Sequence, residues 1–303
     1  MALPNFLIVG AAKAGTTSLH YYLKQHPDIY MPSQTKETFF FSGFTPEMFP
    51  GQGNQYAQLA ITSLEKYQEL YEEVGNEKAI GEACVAYLYY HDLTIPRILE
   101  ILGRDVKIII SLRNPVDRAY SNYLHHIREK WEPLSFLDAI KAENWRKEQG
   151  WWWGFQYIPV GYYYNQVKAY LDVFGREQTL IILYDDLSKD GLEVMNKIFH
   201  FLEVDTSFVP DLSIRHNISS TLTLSRNQSL GKFLNEPNPV KRKIKTMLPY
   251  KIYQQLIKSL TEINTYNAHP LSSKIRNQII PFYREDIQKL QDLIGRDLSL
   301  WLQ

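Results

Sequence analysis

Cysteine is almost missing from this chain: Cys84 is the only one in 303 residues. No disulfide can close within it, and the argument for an oxidising compartment has nothing to rest on. Net charge is missing too. Lys and Arg number 33, as do Asp and Glu, which removes the overall cationic field of a general nucleic-acid or membrane-surface binder but leaves room for local basic patches. No apolar run reaches the roughly 18 residues that cross a bilayer. The N-terminus carries Pro4 and no cationic stretch, unlike a secretory signal. No His, Cys or carboxylate cluster stands at zinc-ligand intervals. These absences point to a cytoplasmic protein with no membrane span, no nucleic-acid partner and no required metal.

What is present is an ordinary globular composition, 45% apolar and 22% charged, at a length that allows one large domain or two small ones. Three apolar runs read as buried strands: Phe6 to Val9, Val106 to Leu112 and Thr179 to Tyr184, with a weaker fourth at Lys78 to Glu82. Helical patterns fall between them, at about Thr16 to Gln25, Ser63 to Val74, Leu93 to Leu102, Pro115 to Glu129, Leu134 to Glu148, Tyr162 to Phe174 and Gly191 to Leu202. The alternation predicts an α/β fold, a central parallel sheet between two layers of helices. Asn114 and Pro115 suit the N-cap and first position of a helix. Residues 203–240 read as a long irregular connection, of a length expected to cover a site. The last helix, Ile279 to Leu302, is apolar enough to dock back on the sheet, so a single domain over 1–303 is expected.

The strongest chemical signal runs from Phe6 to Leu19 (FLIVGAAKAGTTSL), a strand, a small-residue loop and a helix start. Small residues let the backbone approach a phosphate, and the free N–H groups and positive end of the helix hold the anion. Lys13 adds a full charge; Thr16, Thr17 and Ser18 add hydroxyls. The bland alternative is a tight turn with an exposed lysine. A kinase or nucleotide triphosphatase is the chemical rival, because Gly10 and Gly15 keep the G-x-x-x-x-G spacing. Against it, Thr16 stands where that loop has its lysine, and the strand over 106–112 does not end in an acidic residue for magnesium. Residues 106–112 run instead into Arg113. There a guanidinium at a strand end can grip a phosphate bidentately, helped by Ser121 from the following helix. For Arg118 a structural salt bridge to Asp117 is expected.

Together these two segments resemble the cofactor motifs of sulfotransferases that use 3′-phosphoadenosine-5′-phosphosulfate (PAPS). The resemblance implies a P-loop-like three-layer fold in which Lys13, Ala14, Gly15, Thr16, Thr17 and Ser18 grip the 5′-phosphosulfate. Arg113 and Ser121, from R-x-P-x-x-R-x-x-S, would hold the 3′-phosphate. Residues 32–41 (PSQTKETFFF) look like the family's K-E-P-x-F-F segment, residues 81–88 like its G-E-x-x-P-x-Y-L strand, and 282–287 with Trp301 like its closing helix. The likeness is to the bacterial and heparan-sulfate-type branch, where the glutamate before the Phe pair is the catalytic base; here that is Glu37. Its rival role is a surface glutamate paired with Lys36. A carboxylate of ordinary pKa is a weak base, so burial beside Phe39, Phe40 and Phe41 is expected to raise it.

Two departures bear on the acceptor. Glycan-acting relatives carry a His where this chain has Phe39, and a Lys where it has Ala83. Residues 113–150 hold seven Lys or Arg against six Asp or Glu, so no basic track appears there. A small-molecule acceptor is therefore expected over a charged polymer, with a carbohydrate or lipid acceptor, or a non-catalytic nucleotide-binding module, as alternatives. Residues 151–164 hold eight aromatics in fourteen and can wall an acceptor pocket or fill the core. Candidates for the acceptor side are Phe39, Tyr87, His125, Trp153 and Tyr163, the last through its match to the family's G-x-Y tyrosine. Lys241 to Lys245 is the one basic run and reads as a solvated helix face. Arg215, His216 and Arg226 lie where relatives close a loop over the nucleotide.

Overall fold

A computed structural model describes residues 2–213, 223–225, 230, 233–234, 238–247, 249–267 and 270–303. Arg215, His216 and Arg226 lie outside the described residues. Contacts group the chain into two units, one of residues 1–122, 134–217 and 272–303, the other of 123–133 and 218–271.

The first unit is built on five strands: β1 (Phe6–Gly10), β2 (Ile29–Tyr30), β3 (Ala79–Ala83), β4 (Lys107–Leu112) and β5 (Thr179–Leu183). They lie in the order β2-β3-β1-β4-β5, every neighbouring pair parallel. Phe6, Leu7, Ile8 and Val9 are fully buried, as are Ile108, Ile109 and Ile110. That explains their unbroken apolar runs, since a parallel sheet covered on both faces leaves no polar side to alternate with. Phe6 pairs with Gly81 across β1 and β3. A Cβ on Gly81 would collide with the Phe6 ring, so the glycine makes room for that ring.

Helices α1 (Thr16–Leu23), α2 (Asn54–Ala57), α3 (Leu64–Glu69), α4 (Ala86–Tyr89), α5 (His91–Ile101), α6 (Pro115–Arg128), α7 (Phe136–Lys141), α8 (Glu143–Glu148), α9 (Tyr163–Phe174), α10 (Tyr184–Lys189) and α11 (Gly191–Leu202) alternate with the strands. The helix expected over 134–148 is two pieces meeting at Ala142, each only six residues long. Val194, Met195, Ile198, Phe199 and Leu202 of α11 share one face and join Leu19, Leu23, Ile8, Ile109 and Ile182 in a core cluster.

In the second unit, β6 (Thr223–Ser225) pairs antiparallel with β7 (Thr265–Asn267), and α12 (Pro239–Met247) precedes α13 (Tyr250–Asn264). Residues 218–271 carry eight Lys and Arg against two Glu, so the chain's neutrality conceals a strongly basic segment. Within it Arg242, Lys243 and Lys245 are exposed, while Lys241 donates to the Leu234 carbonyl at 2.5 Å. The last helix, α14 (Ser273–Ile294), returns to the first unit. It starts six residues before the expected position, with Ser272 accepting from Ile275 N at 3.3 Å, and stops at Gly295 (φ 64°). It packs on α9 rather than on the sheet: Asp286 accepts from Tyr163 N at 2.8 Å and Tyr164 N at 3.2 Å, and Tyr283 meets Tyr162 ring to ring. No described helix is long and apolar enough to cross a membrane.

Candidate active site

The loop between β1 and α1 leaves the C-terminal edge of the sheet at its middle strand, the position where open α/β sheets bind ligands. Gly15 caps α1 with φ 85° and offers no side-chain cap, and no acidic residue stands in the first turn. The positive end of α1 therefore carries neither a side-chain cap nor a carboxylate of its own, an arrangement that favours an anion. Thr16 and Ser18 are buried, whereas Lys13, Gly15 and Thr17 are partly exposed. Lys13 itself is left-handed at φ 66°, a conformation disfavoured for a residue with a Cβ and characteristic of functional turns.

The adjacent strand braces this loop. Ser111 Oγ donates to the Ala14 carbonyl at 2.6 Å, and Arg113 Nη1 donates to the Lys13 carbonyl at 3.2 Å. With those carbonyls turned toward β4, two neighbouring strand ends are joined into one structure. The Arg113 guanidinium lies over the Tyr184 ring, 4.7 Å from its centroid. Asn114 Oδ1 accepts from Val116 N at 3.0 Å, the expected N-cap of α6. Ser121 is buried in that helix. The expected pair of Arg118 with Asp117 is not formed: Asp117 pairs with Arg276, and the buried Arg118 donates to the Tyr157 carbonyl. Consecutive helical residues point about 100° apart, which separates the two side chains.

On the other flank of β1, two carboxylates lie near the end of β3. Glu37 Oε2 accepts from Val85 N at 2.8 Å, while Oε1 pairs with Lys36. The Glu37 side chain is 29% exposed, so the burial expected around it is incomplete. Full burial belongs instead to Glu82, which accepts from the hydroxyls of Thr38, Tyr67 and Tyr87, the last at 2.6 Å. Its removal from water pushes its pKa up to about 7 against those three stabilising bonds. Sequence reasoning noted Glu82 only as part of a family-like strand. Its three partners are scattered through the sequence, and no local pattern announces them.

The acceptor candidates are dispersed. Phe39 is buried and left-handed (φ 53°), stacked on Phe44 and edge-on to Trp152. Tyr87 is wholly enclosed, its hydroxyl on Glu82. Trp153 stacks on Tyr89, and Tyr163 is fully enclosed near Trp301. Most of the aromatic stretch 151–164 thus builds core. His125 belongs to the second unit, its Nδ1 2.9 Å from Arg128 Nη2. Among the described residues no three His, Cys, Asp or Glu side chains gather for a metal ion.

The family model described as "Sulfotransferase domain" matches residues 3–231. A crystal structure of a sulfotransferase from Alicyclobacillus acidocaldarius is 37% identical, with each chain covered over 100% and a TM-score of 0.78. Among curated proteins, "Membrane-associated sulfotransferase kil1" of Dictyostelium discoideum is 36% identical over 140 residues, 45% of this chain and 26% of that protein. "Bifunctional heparan sulfate N-deacetylase/N-sulfotransferase 4" of Mus musculus is 25% identical over 308 residues, 99% of this chain and 31% of that protein. The chain matches about a quarter to a third of the length of these curated relatives.

Proposed function

The chain belongs to the sulfotransferase domain family, and from that premise we propose that it moves a sulfuryl group from PAPS to a hydroxyl or amine of a small-molecule acceptor. The observation that carries this reading is the brace between strand ends, Ser111 and Arg113 holding the carbonyls of Ala14 and Lys13. It supports reading the loop after β1 and the arginine after β4 as one anion site. The donors there suit a doubly phosphorylated nucleotide: the α1 amides, Lys13, Thr16, Thr17, Ser18, Arg113 and Ser121, with no carboxylate among them.

When bound, that nucleotide supplies an activated sulfuryl group. Lys13 places a cation where charge grows on the leaving phosphate oxygen. Glu37, held on the Val85 amide beside the same strand edge, takes the acceptor's proton as general base. In-line positioning and charge neutralisation then carry most of the catalysis. Phe39 and Ala83, both buried, stand where glycan-acting relatives carry a His and a Lys, and that loss of polar groups supports an uncharged small molecule. A carbohydrate polyanion is the second reading, favoured by the eight basic residues against two acidic ones in 218–271.

The test is thermal and needs no acceptor. The product nucleotide, 3′,5′-adenosine diphosphate, at 100 times its dissociation constant should stabilise the fold by about 2.7 kcal/mol, without magnesium and well above the effect of ATP. Equal shifts for both nucleotides, or a magnesium requirement, would favour a kinase or triphosphatase. Nucleotide binding with no 80-dalton product (one SO₃ group, roughly 80 Da by mass arithmetic) across a broad acceptor panel would leave a binding module.

A further inference from the structure

We infer that Glu82 is a positioning residue for the Glu37 segment: its carboxylate orients Thr38 and Tyr87, which in turn hold the backbone immediately after Glu37. The inference rests on the reading of Glu37 as the base. Thr38 Oγ1 donates to Glu82 and accepts from Phe40 N at 3.2 Å. Tyr87 OH donates to Glu82 at 2.6 Å and accepts from Phe41 N at 3.2 Å. Tyr67 OH donates to the other Glu82 oxygen and accepts from Tyr71 OH at 3.2 Å. Glu82 accepts from all three hydroxyls, and Thr38 Oγ1 and Tyr87 OH also lie 2.8 Å apart, where either can donate to the other. The same two oxygens receive the amides of Phe40 and Phe41.

The segment is thus held at both ends by the stretch from Glu82 to Tyr87. Glu37 itself rests on the Val85 amide, three residues beyond Glu82, and Thr38 rests on Glu82. Phe39, between these anchors and the paired amides, sits at φ 53° and is closed by Ser42 Oγ donating to its carbonyl at 2.8 Å. A bulky residue in that conformation persists only where its surroundings dictate it. The titratable groups facing Glu82 are Tyr67, Tyr71, Tyr87, Cys84 and Glu37.

The test is amide hydrogen exchange resolved at Phe40 and Phe41, with nucleotide affinity and release of 3′,5′-adenosine diphosphate from PAPS, water being the acceptor. Thr38→Val should speed exchange at Phe40 and Tyr87→Phe at Phe41, each by about tenfold for one lost hydrogen bond. Glu82→Gln should speed both, slow release through kcat, and leave affinity for the product nucleotide within about twofold. Unchanged exchange in Thr38→Val and Tyr87→Phe overturns the inference even if Glu82→Gln fails to fold. So does faster exchange with wild-type kcat. If Glu37→Gln keeps full transfer, the base has been misassigned. If Glu37→Gln is inactive while Glu82→Gln behaves as wild type, only the role of Glu82 is lost.

Discussion

Arg113 reaches across from the end of β4 to hold the backbone of Lys13, donating to its carbonyl at 3.2 Å with its guanidinium plane over Tyr184. One side chain therefore shapes the loop and, in the proposed function, also holds the anion bound there. Arg113→Lys keeps the charge but loses the planar fork and the ring contact. Affinity for 3′,5′-adenosine diphosphate should fall about 10- to 100-fold, the value of one or two charge-assisted bonds, as titration calorimetry would read. Wild-type affinity in this variant would mean that Arg113 serves the loop alone.

Gly15→Ala tests the same brace from the other side. A Cβ at Gly15 would meet Tyr184 Cδ2 at 3.0 Å and Leu187 Cδ2 at 3.1 Å, in a backbone at φ 85°. Gly103 supplies the control, with φ 81° and nothing within 4 Å of a Cβ. Both substitutions incur about 1 kcal/mol of left-handed strain. Only Gly15→Ala should also displace Tyr184 and weaken nucleotide binding, and denaturant melts paired with calorimetry separate the two effects.

At Lys13, charge and backbone conformation can be pulled apart. Because its φ is 66°, Lys13→Gly removes the ammonium while relieving strain, and Lys13→Ala removes it while keeping strain. The glycine variant should be the more stable by about 1 kcal/mol, yet both should lose cofactor use and turnover. Recovery of turnover in Lys13→Gly would show that the lysine matters for loop shape and not for charge.

The parts legible in the sequence were those whose cause is local. The strands at Phe6, Lys107 and Thr179 are continuous apolar runs, and Gly, Lys and hydroxyl residues at the first strand's end mark an anion loop without reference to anything distant. The strand Ile29–Tyr30 is only two residues long, too short to carry a period. Pro281 lies inside α14 and hid the true start of that helix at Ser273. Arg118 was given the wrong partner because its surroundings, Tyr157 and a neighbouring helix, come from remote sequence. The network around Glu82 is illegible for the same reason: residues 38, 67 and 87 reach it only through the tertiary fold. Aromatic density near Trp151 had two readings that composition cannot separate, and burial favours core.

Two buried carboxyls, Glu82 and Glu143, and the half-buried Asp286 give the fold a pH dependence of definite sign. Burial pushes Glu82 and Glu143 up to about 7 and Asp286 up to about 6. Each binds its proton more tightly folded than unfolded, so its contribution is complete below the unfolded pKa, about 4.5 for Glu and 3.8 for Asp. That contribution is lost as pH rises through the folded value. Asp138, Glu203, Asp205, Asp211, Glu285 and Asp297, held low by hydrogen bonds or lysines, act oppositely, losing stability only as pH falls below their unfolded values near 4. Between these windows, melting temperature should be higher at pH 5.5 than at pH 8. Glu143 stands clear of the proposed base, accepting from Ile158 N at 2.9 Å, so Glu143→Gln isolates one titration without touching transfer chemistry. It should flatten the slope between pH 5 and 7 by up to about 1.4 kcal/mol per pH unit; an unchanged slope would mean that Glu143 keeps its ordinary pKa in the fold.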